Sequence, residues 1–406
     1  MLYKYQQQAL DNAKPSFLYA LDTGTGKTIL SIYHYLKYGR GESLVIFAPP
    51  AKVKEKGWQR DIEKVCQFEG ITIDYEVISY GILARRRNDF KDQFVIFDEC
   101  HYIKNPTSQR GKAAATIAKH ATNFVLLSAT PASNGWGDCI NYFIMFGFTP
   151  NKTRFNQQYG VFEQKNFGGR FVNLVTSYRF ESELQNEFNR WSLKLRKEDC
   201  LDLPPIVFEK ISFKASKLYK QIEKTRVYEL DGKEYICDTI AAFMAALRMH
   251  AAIKEKINYL TMLLEGTAEN VVIFYNFKHE REALINAIKE KTIFEVSGNC
   301  TTLPDQEEWD DLTNSVTLVQ YQAGAAGIEL QYANNVVIFS PTYSLQDHEQ
   351  AMGRCYRNGQ NKKVTVYQFE TAKTVEQAVY FALENKRDFV ERLYAAEQYG
   401  LQGEIS

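Results

Sequence analysis

The sequence predicts an α/β protein in which a doubly wound parallel sheet occurs twice along the chain. Three observations carry this. Unbroken apolar runs such as Leu44-Val45-Ile46-Phe47 and Phe94-Val95-Ile96-Phe97 alternate with helical stretches over the first 130 residues. Runs of that kind are strands buried on both faces, as parallel sheets require. The alternation resumes at about residue 252, with Val271-Val272-Ile273-Phe274-Tyr275 and Val336-Val337-Ile338-Phe339. Polar residues gather where the apolar runs end, which is where open α/β sheets place their chemistry.

Composition sets the outer limits. The 406 residues leave room for two or three domains of about 150. Hydrophobic content of 45% and charged content of 24% fit a globular chain with an ample core. Lys and Arg number 49, as do Asp and Glu, so no global basic field points to nucleic acid. A groove could still be basic locally. Seven cysteines stand singly without a C-x-x-C pair, which suits reduced thiols in a cytoplasmic protein rather than a disulfide framework or a zinc site. The N-terminus shows no signal-peptide core, and no apolar run approaches the roughly 20 residues of a membrane span. The richest run, Tyr142-Phe143-Ile144-Met145-Phe146, is assigned to the core.

In chain order, residues 1–14 read as a short helix bearing Tyr5 and Gln6. The apolar Phe17-Leu18-Tyr19-Ala20 runs into Leu21-Asp22-Thr23-Gly24-Thr25-Gly26-Lys27-Thr28, and a helix follows to about Tyr38. Strand, glycine turn and helix are the setting of a phosphate-binding loop. Gly24 and Gly26 let amide N–H groups converge on an anion, and the helix N-terminus adds partial positive charge. Lys27 would reach the β- and γ-phosphates, and the Thr28 hydroxyl would sit on Mg²⁺. The full pattern wants a glycine where Leu21 stands, so the match is to the shorter core Gly24-Thr25-Gly26-Lys27-Thr28.

Leu44 to Phe47 is a buried strand ending at Ala48-Pro49-Pro50. Residues 52–65 are helical, with Trp58, Ile62 and Val65 on one face. Strands follow at Tyr75–Ile78 and Phe94–Phe97, a helix at 109–120, and a strand at Phe124–Leu127. The strand at Phe94 ends in Asp98-Glu99-Cys100-His101. Asp98 would hold Mg²⁺, and Glu99 would orient and deprotonate an attacking water. Taken alone, two acids there also read as a helix N-cap region. The last strand ends in Ser128-Ala129-Thr130, hydroxyls that His101 could link to hydrolysis; a simple turn before Pro131 is the plainer reading.

Together these motifs resemble superfamily two helicase-type ATPases, and more closely their Swi/Snf-like branch of DNA translocases. The resemblance rests on Asp22–Thr28, on Asp98-Glu99-Cys100-His101 and on Ser128-Ala129-Thr130-Pro131. It implies an adenine contact for Gln6, a family strand segment at Pro49 with Trp58, and a nucleic-acid contact at Ser79-Tyr80. Asn105 and Asn134 fit the same branch.

Residues 150–200 break the alternation and are aromatic and polar, with Phe155, Tyr159, Phe162, Phe167, Phe171, Tyr178 and Trp191. They read as a helical insertion that packs its own aromatics, or as basic residues between rings that stack bases and touch phosphates. Within it, Phe167 to Phe171 weakly resembles the annealing-helicase subgroup. Leu203-Pro204-Pro205 then precedes a strand, Ile206 to Phe213, which the resemblance returns to the first lobe. Residues 215–250 read as a helical connection.

In the second half, residues 299–314 are a polar loop with a short helix. Gln322–Leu330 reads as a Gly-rich strand-to-helix turn resembling the fifth helicase motif, with Gly327 a coupling residue. Glu329 stands where the family often has Asn or Asp. In Gln350–Gln360, helical spacing puts Gln350, Arg354 and Arg357 on one face. Two arginines there call for an anionic partner, and a planar guanidinium suits a γ-phosphoryl group. A C-terminal helix spans about 374–398.

The resemblance thus implies two RecA-like lobes, residues 1–214 and 251–406, joined through 215–250. One lobe binds ATP and the other supplies arginines across a cleft. It implies an ATP-hydrolysing, DNA-stimulated motor using ATP and Mg²⁺, acting on duplex or forked DNA in preference to RNA. No membrane partner is expected, and a cytoplasmic monomer of phage or bacterial origin is. An RNA helicase, or a nucleotide-switched nucleic-acid-binding protein without motor activity, are the alternatives.

Overall fold

The computed structural model describes residues 1–385 except 40, 55, 133–134, 168–169, 231, 299 and 324–327, and beyond 385 only Phe389 and Gln398. It divides into two units, Met1–Asp202 and Leu203–Ser406.

The first unit contains β1 (Phe17–Leu21), β2 (Leu44–Ala48), β3 (Tyr75–Ser79), β4 (Phe94–Asp98), β5 (Asn123–Ser128), β6 (Gly160–Phe167), β7 (Arg170–Tyr178) and β8 (Ser192–Leu195). Six of them form one sheet in the order β3-β2-β4-β5-β1-β8, every pair parallel. Each residue of β1, β2 and β4 is buried, because helices cover both faces. Two cores result. One holds Leu18, Phe47, Phe97, Leu126 and Phe143; the other holds Tyr19, Ile46, Trp58, Ile96 and Leu127. Ser108 caps the helix Gln109–His120 by accepting from Gly111 N–H.

The second unit contains β9 (Ile206–Phe213), β10 (Val227–Leu230), β11 (Lys233–Ile236), β12 (Val271–Tyr275), β13 (Thr292–Val296), β14 (Thr301–Thr302), β15 (Ser315–Gln320), β16 (Asn335–Ile338) and β17 (Val364–Thr371). Its seven-stranded sheet has the order β14-β13-β15-β12-β16-β17-β9, parallel except for the short β14. Both units are therefore RecA-like parallel α/β lobes. No helix among the described residues is long and apolar enough to cross a membrane.

Three expectations are corrected. The strand at Ile206–Phe213 does not return to the first sheet. It pairs along its whole length with Val364–Thr371, and the Phe213 ring meets Phe369 at 5.2 Å. The strand that does return is β8, beside β1. The boundary accordingly falls at Asp202, earlier than residue 214. Residues 215–250 are not a bare connection either. The helices Lys217–Thr225 and Ile240–Met249 flank the β10–β11 hairpin, and Tyr219, Ile222, Phe243 and Leu247 share a core with Leu345, Val375 and Val379 of the same unit. Finally, the insertion is only partly helical. Helices Lys152–Tyr159 and Glu181–Arg190 flank the antiparallel β6–β7 hairpin. The run Phe171-Val172-Asn173-Leu174-Val175-Thr176 is rich in strand formers, and Gly168-Gly169 separates two such runs, a hairpin signal.

Candidate active site

Parallel register sets three strand ends of the first unit side by side. Ala20 of β1 lies opposite Ser128 of β5, and Leu127 opposite Asp98 of β4. The glycine loop, the Ser128–Thr130 turn and the acid pair therefore share one sheet edge.

The loop needs its glycines. Gly24 and Gly26 take φ of +82° and +71°, a region unfavourable to any residue with a Cβ. A Cβ on Gly26 would also fall 2.4 Å from Nε2 of Gln6. The buried Gln6 donates to the carbonyls of Thr25 (3.0 Å) and Gly26 (3.3 Å), and its Oε1 accepts from Tyr3 N–H at 2.9 Å. The amide nitrogen of the expected adenine-contacting residue thus donates to the loop backbone, and its oxygen caps the helix Lys4–Asp11. Tyr5 donates its hydroxyl to Thr25 O at 3.0 Å, and Thr25 donates its own to Asp22 O at 2.7 Å. Lys27 Nζ donates to Leu21 O at 2.8 Å. Burial lowers the Lys27 pKa, Glu99 opposes that, Lys52 adds to it, and Asp98 and Asp22 oppose it. Thr28 is half-buried in the first turn of the helix Lys27–Tyr38.

Asp98 and Glu99 are both buried. Lys52 Nζ donates to Asp98 Oδ2 at 2.9 Å, to Asp98 Oδ1 at 3.2 Å and to Glu99 Oε1 at 3.3 Å. Trp58 Nε1 donates to Asp98 Oδ2 at 3.0 Å, and Tyr80 donates its hydroxyl to the Asp98 carbonyl at 2.7 Å. Glu99 has φ +52° at the end of its strand, a left-handed conformation that costs an ordinary residue about 1–2 kcal/mol. Such strain collects at functional sites. Burial alone would raise the Glu99 pKa, but Lys52, Lys27 and His101 outweigh it and hold it at about 2. His101 Nδ1 lies 3.5 Å from Glu99 Oε2, and burial pushes the imidazole down to about 4. It is therefore neutral at physiological pH.

Sequence reasoning missed Lys52 and the role of Trp58. Both follow β2, and β2 pairs with β4, Phe47 opposite Phe97. Residues just past one strand end are thereby delivered to those past the other, an adjacency no local pattern shows. Lys52→Ala is expected to destabilise the first unit by about 1–3 kcal/mol at neutral pH, because it leaves buried acceptors short of a donor. The sign with pH follows from Glu99. Its folded pKa of about 2 lies below the ordinary 4.5, so its ionised form contributes stability above pH 4.5 that is lost as pH falls toward 2. The gap in thermal midpoint between parent and Lys52→Ala should narrow as pH drops below 4.5, and a gap that widens would contradict the assignment.

Other expected residues are placed as follows. Ser128 Oγ accepts from Thr130 N–H at 3.1 Å, so these two close a turn on each other, not on His101. Tyr80, expected at a nucleic-acid contact, packs inside the first unit. It is buried, stacked between Phe47 and Tyr102. Asn105 caps its own turn, accepting from Thr107 N–H at 3.0 Å. Asn134 and Gly327 lie outside the described residues.

The donor set fits a nucleoside triphosphate with Mg²⁺. Glycine-shaped backbone at a helix N-terminus, an ammonium beside it and a buried carboxylate two strands away are the parts required. Thr28 and Asp98 would hold the Mg²⁺ that accompanies the triphosphate, where it screens phosphate charge.

In the second unit, Gln350 and Arg354 lie on the helix Leu345–Cys355, whose start Ser344 caps by accepting from Asp347 N–H. Arg357 does not share that face. The helix stops at Cys355, because Leu330 N–H takes the Arg354 carbonyl at 3.1 Å and the buried Gln360 amide donates to the Cys355 carbonyl at 3.4 Å. Gln360 also donates to Gln331 O and Ala333 O, each at 3.0 Å. Arg357 follows the helix end and pairs with Glu329 at 3.0 Å, and Glu329 also accepts from Gln306 Nε2 at 2.7 Å.

Comparison with known proteins adds the following. A family model for the SNF2-related domain matches residues 71–265, and one for the helicase conserved C-terminal domain matches residues 255–359. Human "DNA excision repair protein ERCC-6" is 24% identical over 79% of this chain and 24% of its own length. "Uncharacterized ATP-dependent helicase YqhH" of Bacillus subtilis is 20% identical over 95% of this chain and 78% of its own. The chain spans less than half the length of the first curated relatives it matches. A solved structure, "Sulfolobus solfataricus SWI2/SNF2 ATPase core in complex with dsDNA", aligns over 95% of this chain and 91% of the other, with 19% identity and a TM-score of 0.43.

Proposed function

Because the chain belongs to the Swi/Snf-like helicase superfamily, we propose that it is an ATP-hydrolysing motor that moves along or remodels duplex or forked DNA. The observation that carries this is the glycine loop and the buried Asp98-Glu99 pair on one sheet edge of the first unit. Gly24 to Lys27 would cradle and neutralise the phosphates, and Glu99 would accept the proton of the attacking water. Gln350, Arg354 and Arg357 are assigned to the γ-phosphoryl group, for which Arg357 would give up Glu329. His101, Ser128, Thr130 and Gly327 are assigned to coupling hydrolysis to movement. The name of one relative, DNA excision repair protein, supports DNA as the track.

The test is steady-state ATP hydrolysis at fixed salt with no nucleic acid, single-stranded DNA, duplex DNA, forked DNA and RNA, since backbone binding is salt-dependent. Stimulation by duplex or forked DNA is expected. Stimulation by RNA alone would replace the DNA motor with an RNA helicase, and no stimulation by any of them would point to a nucleotide switch.

A further inference from the structure

The insertion of the first unit sorts its aromatic rings into two sets. Phe155, Tyr159 and Trp191 are buried. They stack with Phe143, Phe148 and Phe146 at centroid distances of 5.3, 5.8 and 3.9 Å. Phe162 is 50% exposed and Phe171 63% exposed. In the β6–β7 hairpin Phe162 pairs with Val175, Gln164 with Asn173 and Asn166 with Phe171. Residues paired across strands, and residues two apart along them, share a face. Phe162 and Phe171 therefore stand on one face, about 13 Å apart along the hairpin, with Gln164 and Asn173 between them. A two-stranded hairpin is marginal in water by itself, and a partner that covers its exposed rings would stabilise it.

Charge narrows the occupant. Residues 152–179 contain Lys152, Arg154, Lys165, Arg170 and Arg179 against Glu163 alone, in a chain whose total is zero. Rings and amides on a locally basic segment suit a polyanion that also offers flat apolar faces. Unpaired nucleic acid is such a molecule; a duplex hides its base faces within the stack. We propose that the β6–β7 hairpin binds unpaired DNA, with Phe162 and Phe171 stacking on bases and the surplus positive charge attracting the phosphates. This rests on the motor reading above and adds the place where a single strand is held.

The experiment compares the parent with F162A/F171A for binding of fluorescein-labelled oligo(dT) and of the same length of duplex, at fixed salt. Stacking is worth roughly 5- to 150-fold per ring, so the double variant should lose at least about 30-fold in oligo(dT) affinity and much less for duplex. F162Y/F171Y should restore most of it, and an unchanged thermal midpoint in each variant shows that the fold survives. In F171W, oligo(dT) should quench the new indole emission. Equal oligo(dT) affinity in parent and F162A/F171A would overturn the proposal while leaving the motor reading intact. A parent that binds no DNA would overturn both. A changed oligomeric state with DNA affinity retained would assign the face to a protein and overturn it as well.

Discussion

Glu99→Gln is expected to keep nucleotide binding and to lose ATP turnover by at least about 100-fold, the lower end of what a positioned general base contributes. The amide has the carboxylate's shape but does not accept a proton at neutral pH. The Lys52 bonds to both oxygens of Asp98 remain in the variant, as do Trp58 on Asp98 and Tyr80 on the Asp98 carbonyl, so the site stays assembled. What changes is one acceptor at the end of β4. The parent's Glu99, held at about 2, is ionised throughout the neutral range and is a weak base while Lys52 lies against it. Catalysis therefore requires that Lys52 release Glu99, or that an anion draw the ammonium away. Single-turnover hydrolysis alongside titration with a fluorescent ATP analogue checks the prediction. Hydrolysis retained in Glu99→Gln would remove Glu99 from the role of base, and lost nucleotide binding would make it a structural residue of the loop.

Glu376→Ala is expected to destabilise the second unit by about 3–5 kcal/mol, which for a unit of this size lowers the thermal midpoint by about 6–20 °C. Lys256 and Glu376 are each 2% exposed. Lys256 Nζ donates to Glu376 Oε1 at 2.5 Å and to the Phe339 carbonyl at 2.9 Å, and Glu376 Oε2 accepts from Thr371 N–H at 2.9 Å. The pair ties the helix Ile253–Glu265 to the end of β16 and to the helix Val375–Glu384. Removing the carboxylate strands an ammonium in the core, and that desolvated charge is the main cost. A Lys256→Met, Glu376→Leu double variant leaves no unpaired charge and should lose much less. Scanning calorimetry distinguishes the two cases. Equal losses in single and double variants would show that packing, not charge, holds this corner.

The candidate site of the first unit was legible in the sequence, because its parts are local. Gly24, Gly26, Lys27 and Thr28 lie within five residues, so one turn must place them together. Asp98 and Glu99 end an apolar strand, which identifies them without knowledge of their neighbours. The helix through Gln350 and Arg354 was legible for the same reason, but its end was not. Arg357 sits three residues past Arg354, and only Leu330 and Gln360, from outside the helix, consume the carbonyls that would have carried it on. The hairpin was legible too, in Gly168-Gly169 beside the strand-forming run Phe171–Thr176, where the sequence reading placed a helical insertion.

By itself, the sequence determined the fully buried strands, the glycine loop, the acid pair and the repetition of an α/β unit. Burial on both faces imposes continuous apolar runs, and a turn that takes positive φ favours glycine, as at Gly24 and Gly26. Only the tertiary structure decided which strands adjoin. It put Ile206–Phe213 beside Val364–Thr371 and Ser192–Leu195 beside Leu18–Leu21. It also brought Lys52 and Trp58 onto Asp98, and it left Phe162 and Phe171 outside while Phe155 and Trp191 went in. The physical reason is the same in each case. Strand pairing and side-chain burial are settled between residues far apart in the chain, and an apolar or charged residue has the same local pattern whichever partner it meets.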